Sequence, residues 1–132
     1  MTDKNIKVLI GILGVDQHEV GAMTVARILR DAGMEVIYAG RFNLPPTIVQ
    51  AAIEEDVDVI GLSCHSWEYI HYMDDLFQEL AAKGAEIPII LGGSVITAKD
   101  EREMLAKGVA AAFGPTATPD GIVERISQIA AG

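Results

Sequence analysis

A regular alternation of short apolar runs with segments of helical periodicity constrains this sequence more than any other feature. The apolar runs are rich in Val, Ile and Leu, with few polar positions inside them. Strands that are apolar on both faces are typical of a parallel sheet covered by helices on each side. The predicted strands are residues 8–13, 35–38, 57–63, 88–91 and 109–113.

The segments between the runs carry helix start and stop signals. Gly33 and Gly84 stop two of them, and Pro45 with Pro46 opens another. Thr118 is expected to cap the last helix, with Pro119 at its first position. The inward-facing residues of the second helix are predicted to be Ile48, Val49, Ala52 and Ile53. The other predicted helices are residues 20–32, 68–83, 100–107 and 121–130.

This alternation predicts an α/β fold of the flavodoxin-like, or Rossmann-like, doubly wound kind. The expected sheet has five parallel strands in the order 2-1-3-4-5, with helices on both faces. The 132 residues fit one domain. Ligands of such sheets bind beyond the carboxyl ends of the strands, at the switch point between strands 1 and 3. The loops expected there are residues 14–21, 63–67, 92–95 and 114–118.

Charge and cysteine content narrow the class of function. The formal net charge of −9 disfavours binding to nucleic acid or to an anionic membrane. The single cysteine, Cys64, forms no internal disulfide and suits a reducing cytoplasm. No signal peptide is visible, and no apolar run reaches the ~20 residues that span a bilayer. We therefore expect a soluble cytoplasmic domain.

The loop after the first strand contains Asp16, Gln17, His18 and Gly21. His18 is a candidate metal ligand or general base, and Asp16 could accept a hydrogen bond from its other ring nitrogen. Gly21 would let a bulky ligand approach the first helix. Taken alone, this loop is better explained as an exposed histidine beside a helix-capping acid. One histidine is also too few for a dedicated zinc site.

The later loops offer small residues at the ends of the strands. Ser63 ends the third strand, and its hydroxyl could bind a ligand or simply terminate the strand. Gly92 and Gly93 either admit a flat ligand or make a tight turn. Gly114 and Thr116 belong to a further open loop for which an ordinary turn is an equal explanation.

The combination of these loop residues, in their order and spacing, is more specific than any one of them. In order and spacing, the sequence resembles the cobalamin-binding domain of adenosylcobalamin-dependent mutases, which include methylmalonyl-CoA mutase and glutamate mutase. The resemblance covers nearly the whole chain. The residues that carry it are Asp16-x-His18-x-x-Gly21, then Ser63, then Gly92-Gly93, and later Gly114-Pro115.

The resemblance implies a role for each matching residue. His18 would displace the dimethylbenzimidazole base and ligate cobalt from below, and Asp16 would hydrogen-bond His18. The displaced nucleotide tail would thread between strands 1 and 3, where Ser63 would hydrogen-bond it. The remaining residues expected to contact the cofactor or make room for it are Gln17, Gly21, His65, Gly92, Gly93, Gly114 and Thr116.

One segment departs from the family pattern. The family has Ser-x-Leu where this chain has Ser63-Cys64-His65, so a histidine replaces the expected leucine. His65 either contacts the cofactor or lies at the rim of the loop without a role. The departure leaves the details of the tail pocket open.

The leading functional hypothesis is a cobalamin-binding small subunit of an acyl-CoA mutase of the methylmalonyl-CoA mutase kind. A substrate-binding barrel needs ~250 residues, so a separate large subunit is expected to hold the acyl-CoA. On this hypothesis the isolated chain is not catalytic by itself.

Other classes of protein share the fold. A corrinoid methyl carrier usually has a helical domain ahead of the first strand, whereas the first strand here begins close to Met1. A non-catalytic cobalamin sensor or chaperone stays open. A phosphoacceptor receiver needs an aspartate where Ser63 ends the third strand. A flavin domain would place phosphate against the acidic loop of Asp16 and Glu19, which would repel it.

Overall fold

Strands and helices alternate strictly through residues 6–13, 20–63, 69–93, 96–114 and 117–131, the residues that the computed structural model describes. The strands are β1 (Lys7–Leu13), β2 (Glu35–Asn43), β3 (Val59–Ser63), β4 (Ile89–Gly92) and β5 (Ala111–Phe113). The helices are α1 (Val20–Asp31), α2 (Pro45–Glu54), α3 (Tyr69–Ala82), α4 (Ala98–Lys107) and α5 (Pro119–Ala131). None of these described helices is long and apolar enough to cross a membrane.

The strands form one parallel sheet in the order β2-β1-β3-β4-β5, which confirms the predicted topology. The chain leaves β1 toward β2 and then returns to the other side of β1 to form β3. This reversal places a topological switch point between β1 and β3, because the helices that follow these strands, α1 and α3, lie on opposite faces of the sheet.

Both faces of the sheet are buried, because successive side chains along each strand point to opposite faces. Val8, Ile10 and Ile12 face the layer made by α1 and α5, which we call the α1–α5 face. Leu9 and Leu62 face the layer made by α2, α3 and α4. Burial of each large aliphatic side chain contributes roughly 1.5–3 kcal/mol. The near-continuous apolar runs of the sequence therefore supply apolar side chains to both covered faces of the sheet.

Lys7 fixes the amino end of β1. Its backbone N–H donates to Asp58 Oδ2 at 2.9 Å, and its Nζ donates to the carbonyl of Glu55 at 2.9 Å. The same Nζ lies 3.6 Å from Glu35 Oε2 at the start of β2. These contacts join the starts of β1, β2 and β3. They therefore help to set the register at the amino edge of the sheet.

Several boundaries differ from the sequence expectations, and the larger differences include β5, which begins at Ala111 instead of residue 109. β2 continues to Asn43 instead of ending at residue 38, and its pairing with β1 shifts register on either side of Gly11. Gly40, with φ of 76°, accommodates this irregular pairing. β3 begins at Val59 instead of residue 57. α4 begins at Ala98 instead of residue 100.

The expectation that Ile53 faces the core is wrong, because its side chain is 40% exposed. Ile48, Val49 and Ala52 are fully buried as predicted. At 3.6 residues per turn, Ile53 lies about 90° from the centre of that buried stripe. The buried stripe of the 10-residue helix α2 therefore does not extend to Ile53.

Side-chain caps begin the last two helices. Thr118 Oγ1 accepts from the N–H of Gly121 at 3.1 Å, which confirms the predicted cap of α5. At α4, Thr97 Oγ1 accepts from the N–H of Asp100 at 3.1 Å, and Asp100 Oδ2 accepts from the N–H of Thr97 at 3.1 Å. This reciprocal capping box accounts for the earlier start of α4.

Replacing Thr97 with alanine is expected to lower the free energy of unfolding by about 1 kcal/mol, because the cap is lost while Asp100 stays buried. Thr47→Ala is the matched control, since Thr47 is exposed within α2. Urea unfolding of the two variants measures the difference. Equal stabilities would show that the capping box contributes nothing.

Candidate functional site

The side chains on the α1–α5 face become small where the central strands end. Across the sheet, Ile10 of β1 pairs with Gly61 of β3, which in turn pairs with Ile90 of β4. One row nearer the carboxyl edge, Ser63 of β3 pairs with Gly92 of β4. Residues two apart along a strand share a face, so Gly61 and Ser63 leave the middle of this face with little side-chain volume.

These small residues open into a cavity of about 230 Å³, bounded by the ends of the strands on one side and by α1 and α5 on the other. We call it the carboxyl-edge cavity. Ile10, Gly61, Ser63 and Ile90 contribute from the central strands, together with Gly92 and Gly93. Phe113 and Gly114 line it at the end of β5. Ala22, Val25 and Ile122 line it from the helices.

The helices cover the cavity without filling it. Ala22 of α1 is 1% exposed, so a single methyl group stands where a larger side chain would enter the space. One and two turns further along, Ala26 and Leu29 are buried and anchor α1 to the sheet. Ile126, which is fully buried, anchors α5 in the same way. The helices are thus held by contacts deeper in the core.

The chemistry of the lining is almost entirely apolar. Ser63 carries the only polar side chain among the described residues that line the cavity, and none of these residues is charged. Its hydroxyl can donate one hydrogen bond and accept others. Such a cavity suits a flat, mainly apolar group that presents one or two polar atoms.

Three glycines of the lining have different surroundings. A Cβ built on Gly61 would lie 2.7 Å from Ile10 Cδ1, and one built on Gly114 would lie 2.9 Å from the carbonyl oxygen of Ile96. A Cβ on Gly92 would meet nothing closer than the carbonyl oxygen of Phe113, at 3.9 Å. Gly114 is therefore required by close backbone packing, whereas Gly92 leaves open space.

Backbone hydrogen bonds hold the rim of the cavity beside β4 and β5. The N–H of Gly93 donates to the carbonyl of Phe113 at 3.0 Å, and the N–H of Ile96 donates to the carbonyl of Gly93 at 3.3 Å. The N–H of Ala117 donates to the carbonyl of Gly114 at 3.2 Å. These turns fix the positions of the glycines, so the width of the cavity is set by the backbone.

Four of the residues predicted from sequence meet in this cavity, namely Ser63, Gly92, Gly93 and Gly114. Gly21 lies in the first turn of α1, directly before Ala22 of the lining. The other predicted residues lie outside the part of the chain that the structure describes: Asp16, Gln17, His18, His65 and Thr116. Their proposed roles stay predictions.

The sequence analysis did not single out Gly61, Ile10 or Ile90. A signal for Gly61 was present, because it stands two residues before Ser63 in a strand and so shares its face. The importance of Ile10 and Ile90 depends on strand pairing, which brings them to either side of Gly61.

Comparison with known proteins decides the family. Residues 6–124 match the B12 binding domain family. This chain is a member of that family. The match confirms the resemblance drawn from the motif residues, and it extends over the sheet and nearly all of the helices described above.

Two curated relatives match this B12-binding domain over most of its length. The 2-hydroxyisobutanoyl-CoA mutase small subunit of Aquincola tertiaricarbonis is 36% identical over 99% of this chain and 96% of its own length. The pivalyl-CoA mutase small subunit of Xanthobacter autotrophicus is 36% identical over 94% of this chain and 83% of its own length.

A solved structure agrees with the fold. The crystal structure of a cobalamin-binding protein from Desulfitobacterium hafniense superposes with a TM-score of 0.78 at 21% identity. The superposition covers 96% of this B12-binding domain and 60% of that chain, so the other protein is considerably longer. At this level of identity the likeness establishes the flavodoxin-like architecture.

We expect Gly114→Ala to lower the free energy of unfolding by about 1–3 kcal/mol, because the new methyl group meets the backbone carbonyl of Ile96. Gly92→Ala is the control in the same lining and should change stability much less. Chemical denaturation of both variants tests this difference. Similar stabilities would mean that the turn after β5 relaxes freely.

Proposed function

We propose that this chain is the cobalamin-binding small subunit of an acyl-CoA mutase and that it holds adenosylcobalamin at the carboxyl edge of its sheet. The observation that carries this proposal is the 36% identity to the 2-hydroxyisobutanoyl-CoA mutase small subunit, over 99% of this chain and 96% of that subunit. A match that includes nearly all of both chains supports a shared role and not only a shared domain.

The carboxyl-edge cavity fits the nucleotide tail of cobalamin. Its described lining is apolar apart from Ser63, which matches a dimethylbenzimidazole group with one free ring nitrogen. Gly92 leaves room for the tail on the α1–α5 face of the sheet, since a Cβ built there would meet nothing closer than 3.9 Å. We assign Ser63 the hydrogen bond to the base, with Gly93 and Gly114 forming the wall toward β5.

The loop after β1 is proposed to hold the cobalt end of the cofactor. His18 would ligate cobalt, and Asp16 would accept a hydrogen bond from the other ring nitrogen of His18, which would fix the ring and increase its basicity. Gln17 and Gly21 contact the cofactor beside this histidine, while His65 and Thr116 contribute from the neighbouring loops. Bound adenosylcobalamin supplies a cobalt–carbon bond whose homolysis starts the carbon-skeleton rearrangement.

A large subunit is the proposed partner. The chain is a small subunit by its similarity to the two mutase subunits, and their names imply a second chain. We propose that the partner is a substrate-binding barrel that holds the acyl-CoA and excludes water above the cofactor. The cytoplasmic location stays a prediction from the single cysteine.

The test of histidine ligation is a titration of the purified chain with hydroxocobalamin and adenosylcobalamin, followed by ultraviolet–visible spectra. Paramagnetic resonance is recorded after reduction of the bound hydroxocobalamin to the Co(II) form, because the Co(III) forms have no unpaired electron. The wild-type chain should give the signature of a histidine nitrogen below cobalt with the base displaced. His18→Ala should remove that signature while circular dichroism shows an intact fold, because the sequence predicts a loop at His18.

His71→Ala is the control for loss of a histidine, since residue 71 belongs to α3 and not to a predicted site loop. It should keep the wild-type spectrum. Retention of the wild-type spectrum by His18→Ala would mean that another group ligates cobalt. Failure of the wild-type chain to bind either cofactor would contradict the proposal that this chain carries cobalamin by itself.

A further inference from the structure

The two outer strands of the sheet are edges at which another chain could pair. In the order β2-β1-β3-β4-β5, β2 has a neighbour on one side, β1, and β5 has a neighbour on one side, β4. An edge strand directs backbone N–H and C=O groups outward, and these groups can bind a strand of a second molecule. β2 has nine residues and β5 has three, so β2 offers the longer edge to such a partner.

The first half of β2 is its regular part. Residues 35–38 pair in step with residues 7–10 of β1, and the register then shifts between Ile10 and Gly11. Gly40, with φ of 76°, lies in the irregular part that follows. Irregular pairing of this kind twists an edge and hinders the addition of another strand. A second strand would therefore meet a regular edge along residues 35–38.

The side chain of Arg30 lies at this regular edge. The N–H of Glu35 donates to the carbonyl of Ile6, which directly precedes β1, at 2.8 Å. Because successive residues of a strand direct their backbone groups to alternate sides, the carbonyl of Val36 points away from β1. Arg30 Nη2, from the last turn of α1, donates to this carbonyl at 3.3 Å. A charged guanidinium thus occupies an acceptor that a second strand would use.

A second arginine from the same helical layer lies at the other edge of the sheet. Arg125 Nη2, from α5, donates to the carbonyl of Ala110, directly before β5, at 3.4 Å. Its Nη1 donates to Gln128 Oε1 at 3.3 Å. Short strands and charged side chains are both common means of protecting an edge. The two edges therefore share one arrangement, in which an arginine of the α1–α5 layer covers a backbone carbonyl.

We propose that Arg30 closes the edge of β2 against antiparallel pairing with a second copy of this chain. Pairing of the same edge in two copies follows a twofold axis, so residues 35–38 of each copy would meet. Val36, Ile37 and Tyr38 have side chains that favour strand pairing, so the edge is competent to pair once it is uncovered. While Arg30 is present, pairing would break its hydrogen bond and place a charge in the new ladder. This inference depends neither on cobalamin nor on the proposed function.

Arg30→Ala tests whether the arginine closes the edge. Sedimentation velocity of the full chain, without added cofactor, compares the variant with wild type over about a hundredfold range of concentration. Arg30→Ala is expected to associate at least about tenfold more strongly than wild type, because the carbonyl of Val36 is uncovered. Arg30→Lys is expected to keep the wild-type behaviour, because it leaves a cationic donor beside the edge.

Arg27→Ala is the matched control. Residue 27 is exposed on the same helix, and its replacement changes the net charge of −9 by the same amount as Arg30→Ala. This control should also keep the wild-type behaviour. Increased association in Arg30→Ala alone would therefore come from the edge of β2 and not from the loss of one positive charge.

Hydrogen exchange distinguishes edge pairing from association through partial unfolding. Pairing through β2 should slow exchange of the backbone amides in residues 35–38 of Arg30→Ala as its concentration rises. Association with faster exchange in that segment would mean that the variant unfolds locally, and it would overturn the proposal. Equal association of wild type, Arg27→Ala and Arg30→Ala would overturn it as well. Since no corrinoid enters these measurements, they stand apart from the test of the proposed function.

Discussion

Each strand of this parallel sheet must be covered by helices on both faces. The glycines in the central strands determine where the packing between sheet and helices is incomplete. On the α2–α4 side, large residues such as Leu62 and Leu91 fill the space between strands and helices. On the α1–α5 face, Gly61 and Gly92 stand in the central strands beneath Ala22. Because Ile126 and Leu29 anchor the helices elsewhere, the gap persists as a cavity. The cavity thus lies at the carboxyl edge of the sheet, which is the edge where parallel sheets bind ligands.

In the proposed arrangement the protein binds and orients the cofactor, and the cofactor supplies the reactivity. The described lining of the cavity carries no charged group, and it offers space and one hydroxyl, at Ser63. We propose that reactivity comes from the bound group, while the protein determines which group enters and how it is oriented. Membership of the B12 binding domain family gives that group a chemical identity.

The sequence was sufficient for the fold, because the apolar runs and the helix signals repeat in phase from β1 to α5. The ends of the elements were harder to predict. β2 extends beyond its apolar residues by irregular pairing with β1, and this pairing depends on Gly40 and not on local hydrophobicity. The start of α4 could have been predicted from the spacing of Thr97 and Asp100, which form a capping box. Ser63, Gly92, Gly93 and Gly114 followed from the motif, whereas Gly61 acquires its meaning only when Ile10 and Ile90 flank it in three dimensions.

The central claim is that the tail of cobalamin occupies the cavity between the central strands and the α1–α5 layer. A crystal structure of the chain bound to cobalamin tests it most directly. The account predicts density for the lower base beside Gly61, with its free nitrogen within hydrogen-bond distance of Ser63 Oγ. A base that stays coordinated to cobalt outside the cavity, with the space over Gly61 empty, would contradict it.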